Sequence, residues 1–307
     1  MKSFLGSPML LLLAVACAPK EAPKPAAAAA PPAVPTRVSV TEGFSTPESV
    51  LWDAEQQVWF VSNINGNPVA RDGNGFISRL DKDGKVDSLH FAQSGRGGVV
   101  LNGPKGLAIT GDTLWVADID AVRGINRKTG AMVASVELGK QARFLNDIAV
   151  GPGGTLYITD TGIDFSPKGE MSHPGPDRIF SLTGRKIATV AEGSWLAGPN
   201  GITWDQAAGR FIVVPFTGTK LLGWKPGETK ADTIGTGPGG HDGVEIVGGE
   251  TLVTSWTDST VFAVGAGGNR KVATGVNSPA DIGVDPTRDL LAIPLFLENK
   301  VEMWRLK

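Results

Sequence analysis

Six segments of the chain share one pattern of polar and hydrophobic positions. Each begins at a turn, usually with Pro, continues with a polar or charged residue and then a small or polar one, and runs into an apolar strand. A turn rich in Gly and Asp leads to a second apolar strand. Short strands separated by turn residues at regular intervals predict β-structure. The first strands are PESVLW from Pro47, PKGLAI from Pro104, LNDIAV from Leu145, PNGITW from Pro199, HDGVEI from His241 and PADIGV from Pro279.

The spacing of these repeats predicts the architecture. Their second residues stand roughly 40 to 57 residues apart, as expected for four-stranded propeller blades. These residues are Glu48, Lys105, Asn146, Asn200, Asp242 and Ala280. We therefore predict an all-β fold, a six-bladed β-propeller over residues 37–307. The last repeat is too short for a whole blade, so the strand that starts at Thr36 is predicted to close it and to remove an exposed edge.

Composition and charge support this fold and exclude one class of partner. The 41 glycines and 21 prolines suit many turns, and no amphipathic run of helical length supports an α/β alternative. The formal net charge is −2, without a run of Lys or Arg or a basic helix. Nucleic-acid binding therefore has no support. We expect a monomer that acts on a small-molecule substrate.

The N-terminus predicts export and lipid anchoring. Residues 1–16 carry Lys2 and then an apolar stretch too short to span a bilayer, which is typical of a signal peptide. The run Leu13-Ala14-Val15-Ala16-Cys17 resembles a bacterial lipobox, and Cys17 is the one cysteine of the chain. Residues 17–36, rich in Ala and Pro, are predicted to form an extended tether. We expect a lipoprotein of the bacterial cell envelope, held at the membrane by the lipid on Cys17 alone.

The repeat also predicts a metal site. The first strand of each propeller blade lines the central channel, so equivalent positions form a ring around one axis. Glu48, Asn146, Asn200 and Asp242 would then present two carboxylates and two amides to one point. Oxygen donors of this kind suit a hard divalent cation. We expect one such ion, with calcium favoured and magnesium, manganese or zinc as alternatives.

The motifs Pro47-Glu48, Asn146-Asp147, Pro199-Asn200-Gly201 and Asp242-Gly243 resemble the family of regucalcin (senescence marker protein) and gluconolactonase. A more distant likeness is to strictosidine synthase and paraoxonase. The resemblance covers nearly all of the chain from Thr46 to Leu306. It implies that Glu48, Asn200 and Asp242 bind the metal directly and that Asn146 is a ligand or a substrate contact. It further implies that Asp242 is the candidate catalytic base.

The sequence departs from that family pattern beside Asn146. The family commonly has Arg two residues before this Asn and Gly two residues after it, whereas here Arg143 lies three residues before it and Ile148 replaces the Gly. Arg143 is still a candidate substrate contact. Lys105 is another, because its ammonium could neutralise a substrate carboxylate or pair with Asp242 and Glu48. The alternative is that Lys105 reaches solvent.

These residues predict metal-dependent hydrolysis of a lactone or related ester, because a metal polarises a carbonyl and lowers the pKa of bound water. One alternative is a non-catalytic binding or scaffold propeller stabilised by its metal. Another is an amine-condensing synthase, for which the sequence offers no acidic base deeper in the channel. His241 should point away from the axis by strand alternation.

The loops at residues 63–74 and 162–176 are longer than hairpin turns, and at least one should overhang the channel mouth. The tryptophans at positions 52, 115, 195, 204 and 256 are expected to pack between blades.

Overall fold

The computed structural model of the chain describes Met1 and residues 34–166, 168–265 and 268–307. Across these residues the chain forms six four-stranded sheets and one two-stranded hairpin. The prediction of a six-bladed β-propeller is confirmed. The signal segment, Cys17 and most of the tether lie outside the described residues. Within the described part of the chain, no helix is both long and apolar enough to cross a membrane.

The strands follow the repeat. The N-terminal strand is β1 (Thr36–Glu42). Blade 1 contains β2 (Pro47–Asp53), β3 (Val58–Asn63), β4 (Phe76–Leu80) and β5 (Val86–Gln93). Blade 2 contains β6 (Pro104–Thr110), β7 (Thr113–Asp118), β8 (Ala121–Asn126) and β9 (Met132–Glu137). Blade 3 contains β10 (Leu145–Val150), β11 (Leu156–Asp160), the hairpin β12 (Asp164–Phe165) and β13 (Met171–Ser172), β14 (Arg178–Thr183) and β15 (Lys186–Glu192).

Blades 4 to 6 complete the ring. Blade 4 contains β16 (Pro199–Asp205), β17 (Arg210–Pro215), β18 (Lys220–Trp224) and β19 (Asp232–Thr236). Blade 5 contains β20 (His241–Val247), β21 (Glu250–Ser255), β22 (Thr260–Val264) and β23 (Arg270–Thr274). Blade 6 contains β24 (Gly283–Asp285), β25 (Leu290–Leu295) and β26 (Lys300–Arg305). Three short 3-10 helices lie in connections, at Gly139–Gln141, Pro152–Gly154 and Ser194–Leu196.

The two ends of the propeller chain meet in blade 6. Strand β1 pairs antiparallel with β26, so that Thr36 lies opposite Arg305 and the sheet order is β1-β26-β25-β24. The Arg37 guanidinium donates to the buried carboxylate of Glu302 at 2.7 Å. The predicted closure by the strand at Thr36 is therefore confirmed, and β1 covers the free edge of β26.

Apolar side chains hold neighbouring blades together. The buried hydrophobic residues fall into six clusters, one between each pair of adjacent blades. Between blades 1 and 2, for example, Phe60 and Ile77 pack with Leu107 and Leu114. Burial of this surface is the main favourable contribution to folding. Four of the tryptophans pack against these clusters as expected, namely Trp52, Trp115, Trp195 and Trp204.

A repeated irregularity in the inner strands positions the candidate site. In blades 1 to 5 the pairing of the first strand with the second shifts register directly after the first residue. In three blades a hydroxyl of the second strand accepts the backbone N–H released by this bulge. The pairs are Ser49 with Ser62 at 2.9 Å, Asp147 with Thr159 at 2.9 Å and Gly243 with Thr254 at 2.7 Å. The bulge is thus fixed by hydrogen bonds.

Glycine allows the inner strands to approach one another beside these bulges. A Cβ added at Gly201 would lie 2.3 Å from the backbone oxygen of Asp242, and one at Gly243 would lie 2.6 Å from the Cα of Asp281. A side chain at either position would push neighbouring inner strands apart. The channel is therefore narrow beside Gly201 and Gly243. This narrow part separates two cavities, one at each end of the inner strands.

Candidate functional site

The upper cavity, at the end where the inner strands begin, has a volume of about 560 Å³. Its floor consists of the second residues of five inner strands. These residues are Glu48, Lys105, Asn146, Asn200 and Asp242. All five are buried, and the structure thus brings the four predicted oxygen donors together in one cavity. Ala280, the sixth equivalent, adds no polar group.

Three oxygen atoms of this floor are buried without any hydrogen-bond partner. They are Glu48 Oε2, Asn146 Oδ1 and Asp242 Oδ1. The Asn146 amide nitrogen donates to the Thr161 hydroxyl at 3.0 Å, which holds the amide with its oxygen available. Buried acceptors left unpaired are costly, so this floor suits a ligand that satisfies all three.

A hard cation fits this donor set. Among the described residues, no three His, Cys, Asp or Glu side chains gather closely enough to hold a metal ion. A cation at the floor would therefore need the amide oxygens of Asn146 and Asn200 in addition to Glu48 and Asp242. Carboxylates combined with amide oxygens are ligands that Ca²⁺ takes readily, whereas a zinc site built of Cys and His is not available here.

Ionisation of the two floor carboxyls is unfavourable unless a cation lies beside them. Burial raises the pKa of Glu48 well above its usual value, and the charge of Asp242 raises it further while that of Lys105 opposes the rise. Burial also raises the pKa of Asp242 to about 8, with a further contribution from Asp147. Nearby positive charge favours the ionised form of both groups.

Lys105 lies on the floor, so the interpretation that it reaches solvent is wrong. Its residue is 1% exposed, and its ammonium donates to the backbone oxygen of Gly103 at 2.9 Å. The Nζ atom also lies 4.2 Å from the ring centroid of Phe144. Burial lowers the pKa of Lys105 to about 8, while Glu48 and Asp118 oppose the decrease. The cation is still the main form at neutral pH.

Arg143 is not brought together with the oxygen donors. Its guanidinium donates to the backbone oxygen of Gly175 and to the carboxylate of Asp164, both at 3.1 Å. It lines a neighbouring groove together with Asp164, and it is not among the residues that line the upper cavity. The shift of Arg143 by one position from the family pattern thus accompanies a different contact.

His241 faces away from the upper cavity, as strand alternation predicts. Its ring is buried against Phe262, at 5.9 Å between centroids, and its Nε2 accepts the backbone N–H of Gly239 at 3.1 Å. Burial lowers the pKa of His241 to about 4. It is a neutral residue of the blade interior at ordinary pH.

Aromatic and aliphatic side chains form the walls above the floor, and most of them were missed from the sequence. Phe216, Trp256 and Phe296 stand on one side. Trp256 packs against Phe216 and Phe296 of the neighbouring blades, as expected, and it also lines the cavity. Their position in the sequence could have identified them, because each of these residues directly follows the second strand of its blade.

Both long loops reach the cavity, which confirms the prediction of an overhang. The first contributes Asn67 and Pro68, and the second contributes Ile163, Phe165 and Met171. In the second loop, β12 and β13 pair as a hairpin. Its base is fixed by Asp177, whose carboxylate accepts the backbone N–H of Gly198 at 2.9 Å and contacts His173 at 2.6 Å.

The lower cavity, of about 390 Å³, lies where the inner strands end. It contains three carboxyls, those of Asp147, Glu245 and Asp281. Asp147 accepts the backbone N–H groups of Ile148 at 2.6 Å and Ile202 at 2.7 Å. Burial raises the pKa of Asp147 to about 6 and that of Glu245 to about 8.

The third carboxyl of the lower cavity joins blade 6 to blade 1. The Asp281 carboxylate accepts the Ser49 hydroxyl at 2.6 Å, and the backbone N–H of Asp281 donates to the backbone oxygen of Glu48 at 2.8 Å. Burial is the main cause that raises the pKa of Asp281, and the charge of Asp147 adds to it. These contacts connect neighbouring inner strands, so Asp147 and Asp281 have a structural role.

Comparison with known proteins agrees with this architecture. Residues 46–222 match the model of the SMP-30/Gluconolactonase/LRE-like region. No curated protein sequence matches the chain. The match confirms the family that the motifs around Glu48, Asn146, Asn200 and Asp242 suggested.

Solved structures share the fold at low sequence identity. A gluconolactonase from Xanthomonas campestris is 17% identical with a TM-score of 0.64, over 87% of this chain and 88% of that one. The calcium-binding protein regucalcin from Agrobacterium tumefaciens is 17% identical with a TM-score of 0.62, over 86% and 90%. A virginiamycin B lyase from Staphylococcus aureus is 14% identical with a TM-score of 0.56, over 88% and 99%.

Proposed function

The chain belongs to the SMP-30/gluconolactonase/LRE-like family, and on that premise we propose that it is a metal-dependent hydrolase of lactones or related esters. The observation that carries this proposal is the set of three unpaired buried oxygens on the floor of the upper cavity, from Glu48, Asn146 and Asp242. Such a floor is costly unless a ligand completes it.

Glu48, Asn200 and Asp242 would hold one divalent cation, with Asn146 as a further ligand or a substrate contact. When bound, such a cation would polarise the substrate carbonyl and stabilise negative charge on its oxygen. The donor set is hard, which favours calcium. The similar regucalcin structure is described as a calcium-binding protein, which is consistent with that choice.

Asp242 and Lys105 would have separate roles in hydrolysis. Asp242, once ionised, accepts a proton from the attacking water while the water oxygen bonds to the ester carbon. The ring C–O bond then breaks, and the proton passes from Asp242 to the leaving oxygen, so that a lactone and water give a hydroxy acid. Lys105 lies on the same floor and stabilises negative charge that develops on the reacting group.

A substrate panel with a matched pair of variants tests this proposal. Asp242→Asn removes one floor carboxylate, and Glu245→Gln removes a carboxylate three residues along the same strand that faces the lower cavity. We expect wild-type turnover of lactones or aryl esters that depends on added calcium, magnesium, manganese or zinc. Asp242→Asn should lower kcat by about a thousandfold or more at saturating metal, a loss of the size seen for groups acting in the transition state.

Glu245→Gln is the control and should keep wild-type turnover. Metal binding without turnover of any substrate would favour the alternative of a metal-stabilised scaffold. Absence of metal binding would contradict both functions and leave only the propeller.

We further propose that the protein works in the cell envelope as a lipoprotein, which Cys17 supports as the single cysteine of the chain at a lipobox-like site. Cys17→Ser should move the protein from the membrane fraction to the soluble fraction, because the lipid is the expected anchor. Fractionation of cells that express each form measures this. An unchanged membrane fraction would contradict the lipoprotein proposal without affecting the proposed chemistry.

A further inference from the structure

We infer that the upper cavity accepts lactones or esters that carry an aromatic or alkyl group, in preference to polyhydroxylated sugar lactones. The reacting group rests on the proposed function, whereas the preference rests on the walls of the cavity. The floor supplies polar atoms at one depth, and the walls above it present mainly carbon. That division predicts a substrate with one polar end and one apolar end.

The walls arise from a second ring of equivalent positions. In each case the residue follows the second strand of its blade, and its backbone N–H donates to the residue just before the first strand. The bonds run from Ile64 to Thr46, Thr161 to Phe144, Phe216 to Gly198, Trp256 to Gly240 and Phe296 to Ser278, at 2.8 to 3.0 Å. All five of these residues line the upper cavity. The fold thus places one side chain from each of five blades above the polar floor.

Four members of this ring are apolar, and three of them form a continuous aromatic wall on blades 4 to 6. The Phe216 and Trp256 rings lie 5.8 Å apart and nearly perpendicular, at 80°. The Trp256 and Phe296 rings lie 5.3 Å apart at 54°. Tilted and edge-on packing at such distances is favourable and holds the rings in place. The wall is therefore rigid before any substrate arrives.

The opposite wall is also apolar. Phe144 lies beneath the β12–β13 hairpin, and its ring centroid is 6.1 Å from that of Phe165. Ile163 is buried at the base of the hairpin, whereas Met171 is 48% exposed at its far side. An apolar group of a substrate would thus be enclosed between this hairpin and the aromatic wall.

Polar side chains are few in the walls, where Thr161, Asn67 and the exposed Lys168 of the hairpin stand among mainly apolar residues. The first two are engaged with the protein itself. The Thr161 hydroxyl donates to the Pro199 oxygen at 2.9 Å and accepts from Asn146. The Asn67 side-chain oxygen accepts the backbone N–H of Val69 at 3.0 Å. A sugar lactone would bury several hydroxyls here with few free partners, and each unpaired hydroxyl costs binding free energy.

The indole nitrogen of Trp256 is one wall atom that a substrate could contact. It is buried without a hydrogen bond of good geometry, and it lies close enough to the Asp242 carboxyl to lower the pKa of that group. An ester or lactone needs acceptors satisfied at its two oxygens, and a single N–H donor beside the floor suits one of them. The cavity therefore fits a compact ester group attached to a hydrophobic body.

Binding of lactams tests the preference separately from turnover, because a lactam keeps the shape of a lactone and resists hydrolysis. Isothermal titration would compare dihydroquinolinone, the lactam of dihydrocoumarin, with gluconolactam, on the folded protein with calcium present. We expect the aromatic lactam to bind at least about tenfold more tightly, which is about 1.4 kcal/mol. Equal binding, tighter binding of gluconolactam, or no binding of either would overturn the inference.

Two tryptophan variants locate the preference in the wall. Trp256→Leu should weaken binding of the aromatic lactam by about tenfold while gluconolactam changes little, because the lost contact is apolar. Trp204→Leu is the matched control, since Trp204 lines the lower cavity, and should leave both affinities unchanged. Melting temperatures of both variants confirm that they are folded. Aromatic-lactam affinity that is unchanged in Trp256→Leu, or reduced equally in Trp204→Leu, would overturn the assignment of the wall.

The same titration distinguishes failure of the proposed function from failure of this inference. Tight binding of the aromatic lactam without turnover of any lactone would retain the substrate class and reject the hydrolase. Turnover of gluconolactone with a kcat/KM equal to that of dihydrocoumarin would retain the hydrolase and reject the apolar preference.

Discussion

The two cavities of the channel are built from the same inner strands, yet their polar groups are in opposite states. In the upper cavity, Glu48, Asn146 and Asp242 each have a buried oxygen without a partner. In the lower cavity, Asp147 accepts two backbone N–H groups and Asp281 accepts the Ser49 hydroxyl. The comparison teaches that carboxyl content alone does not identify a ligand site. A group of unpaired oxygens that face the same cavity does identify one.

Alternate residues of one strand supply the two cavities. Asn146 faces the upper cavity and Asp147 the lower one, at the bulge that begins the inner strand. Asp147 and Asp281 connect neighbouring blades, so these two carboxyls help to fix the position of the strands. The floor residues of the upper cavity are placed by these strands but do not hold the strands together.

The largest expected loss of stability comes from adding a side chain in the narrow part of the channel between the two cavities. Gly243→Ala would place a methyl group 2.6 Å from the Cα of Asp281, and neighbouring inner strands would have to separate. We expect the free energy of unfolding to fall by about 3 kcal/mol or more. Urea denaturation measures it. Gly265→Ala is the control, because Gly265 is exposed, lies outside the strands, and would place its methyl group 3.0 Å from the Gly268 backbone oxygen without touching an inner strand. A loss of less than about 1 kcal/mol for Gly243→Ala would show that the strands separate easily.

The next largest effect is expected on the calcium affinity, which should depend on the upper cavity and not on the lower one. Glu48→Gln and Asn200→Ala each remove a ligand from the floor, and each should weaken calcium binding by about 100-fold, or about 2.7 kcal/mol. Glu245→Gln changes the lower cavity and should leave the calcium affinity unchanged. Calorimetric titration and the calcium-dependent rise in melting temperature measure both effects. Equal weakening by all three variants would place the cation between the cavities.

A smaller effect is expected from the bond between blades 6 and 1. Ser49→Ala removes the hydroxyl that donates to Asp281 at 2.6 Å and should cost about 1 to 2 kcal/mol of stability. Ser39→Ala is the control, because the Ser39 hydroxyl is buried without a partner and its removal should be neutral or stabilising. Thermal denaturation of the two variants measures the difference. If they were equally stable, the lower carboxyls would not hold the blades together.

A further effect is expected in the pH dependence of stability. The pKa of Glu245 is raised to about 8 in the folded chain, so its contribution to stability is fully present below its unfolded pKa and decreases as pH rises toward 8. Asp147 and Asp281 are the charged groups that share its cavity. Glu245→Gln should therefore reduce the loss of stability between pH 5 and pH 8. Identical slopes for wild type and variant would show that Glu245 does not change its ionisation on folding.

The sequence was sufficient for the fold and for the floor of the site because both follow from a repeat. Equivalent positions in equivalent strands must form a ring, so Glu48, Asn146, Asn200 and Asp242 could be placed together without knowledge of distances. The closing strand at Thr36 followed from the incomplete last blade.

The walls could not be predicted in the same way. An aromatic residue that follows a strand is compatible with packing between blades, and nothing in the sequence shows that Trp256 also lines the upper cavity. Arg143 shows the same limit, because the sequence gives no sign that its guanidinium binds Asp164. The bulges that send Asn146 and Asp147 to opposite ends also leave no mark in the periodicity.

The pairing of β1 with β26 sets an order of events during folding. The contact between Arg37 and Glu302 joins residues 265 positions apart, so β1 cannot complete blade 6 until nearly the whole propeller chain is available. Blades 1 to 5 pair strands that are near in sequence and can form before the two ends meet. Closure of the ring is therefore expected to be the last and slowest step of folding, and until then the edge of β26 is open to another copy of β1.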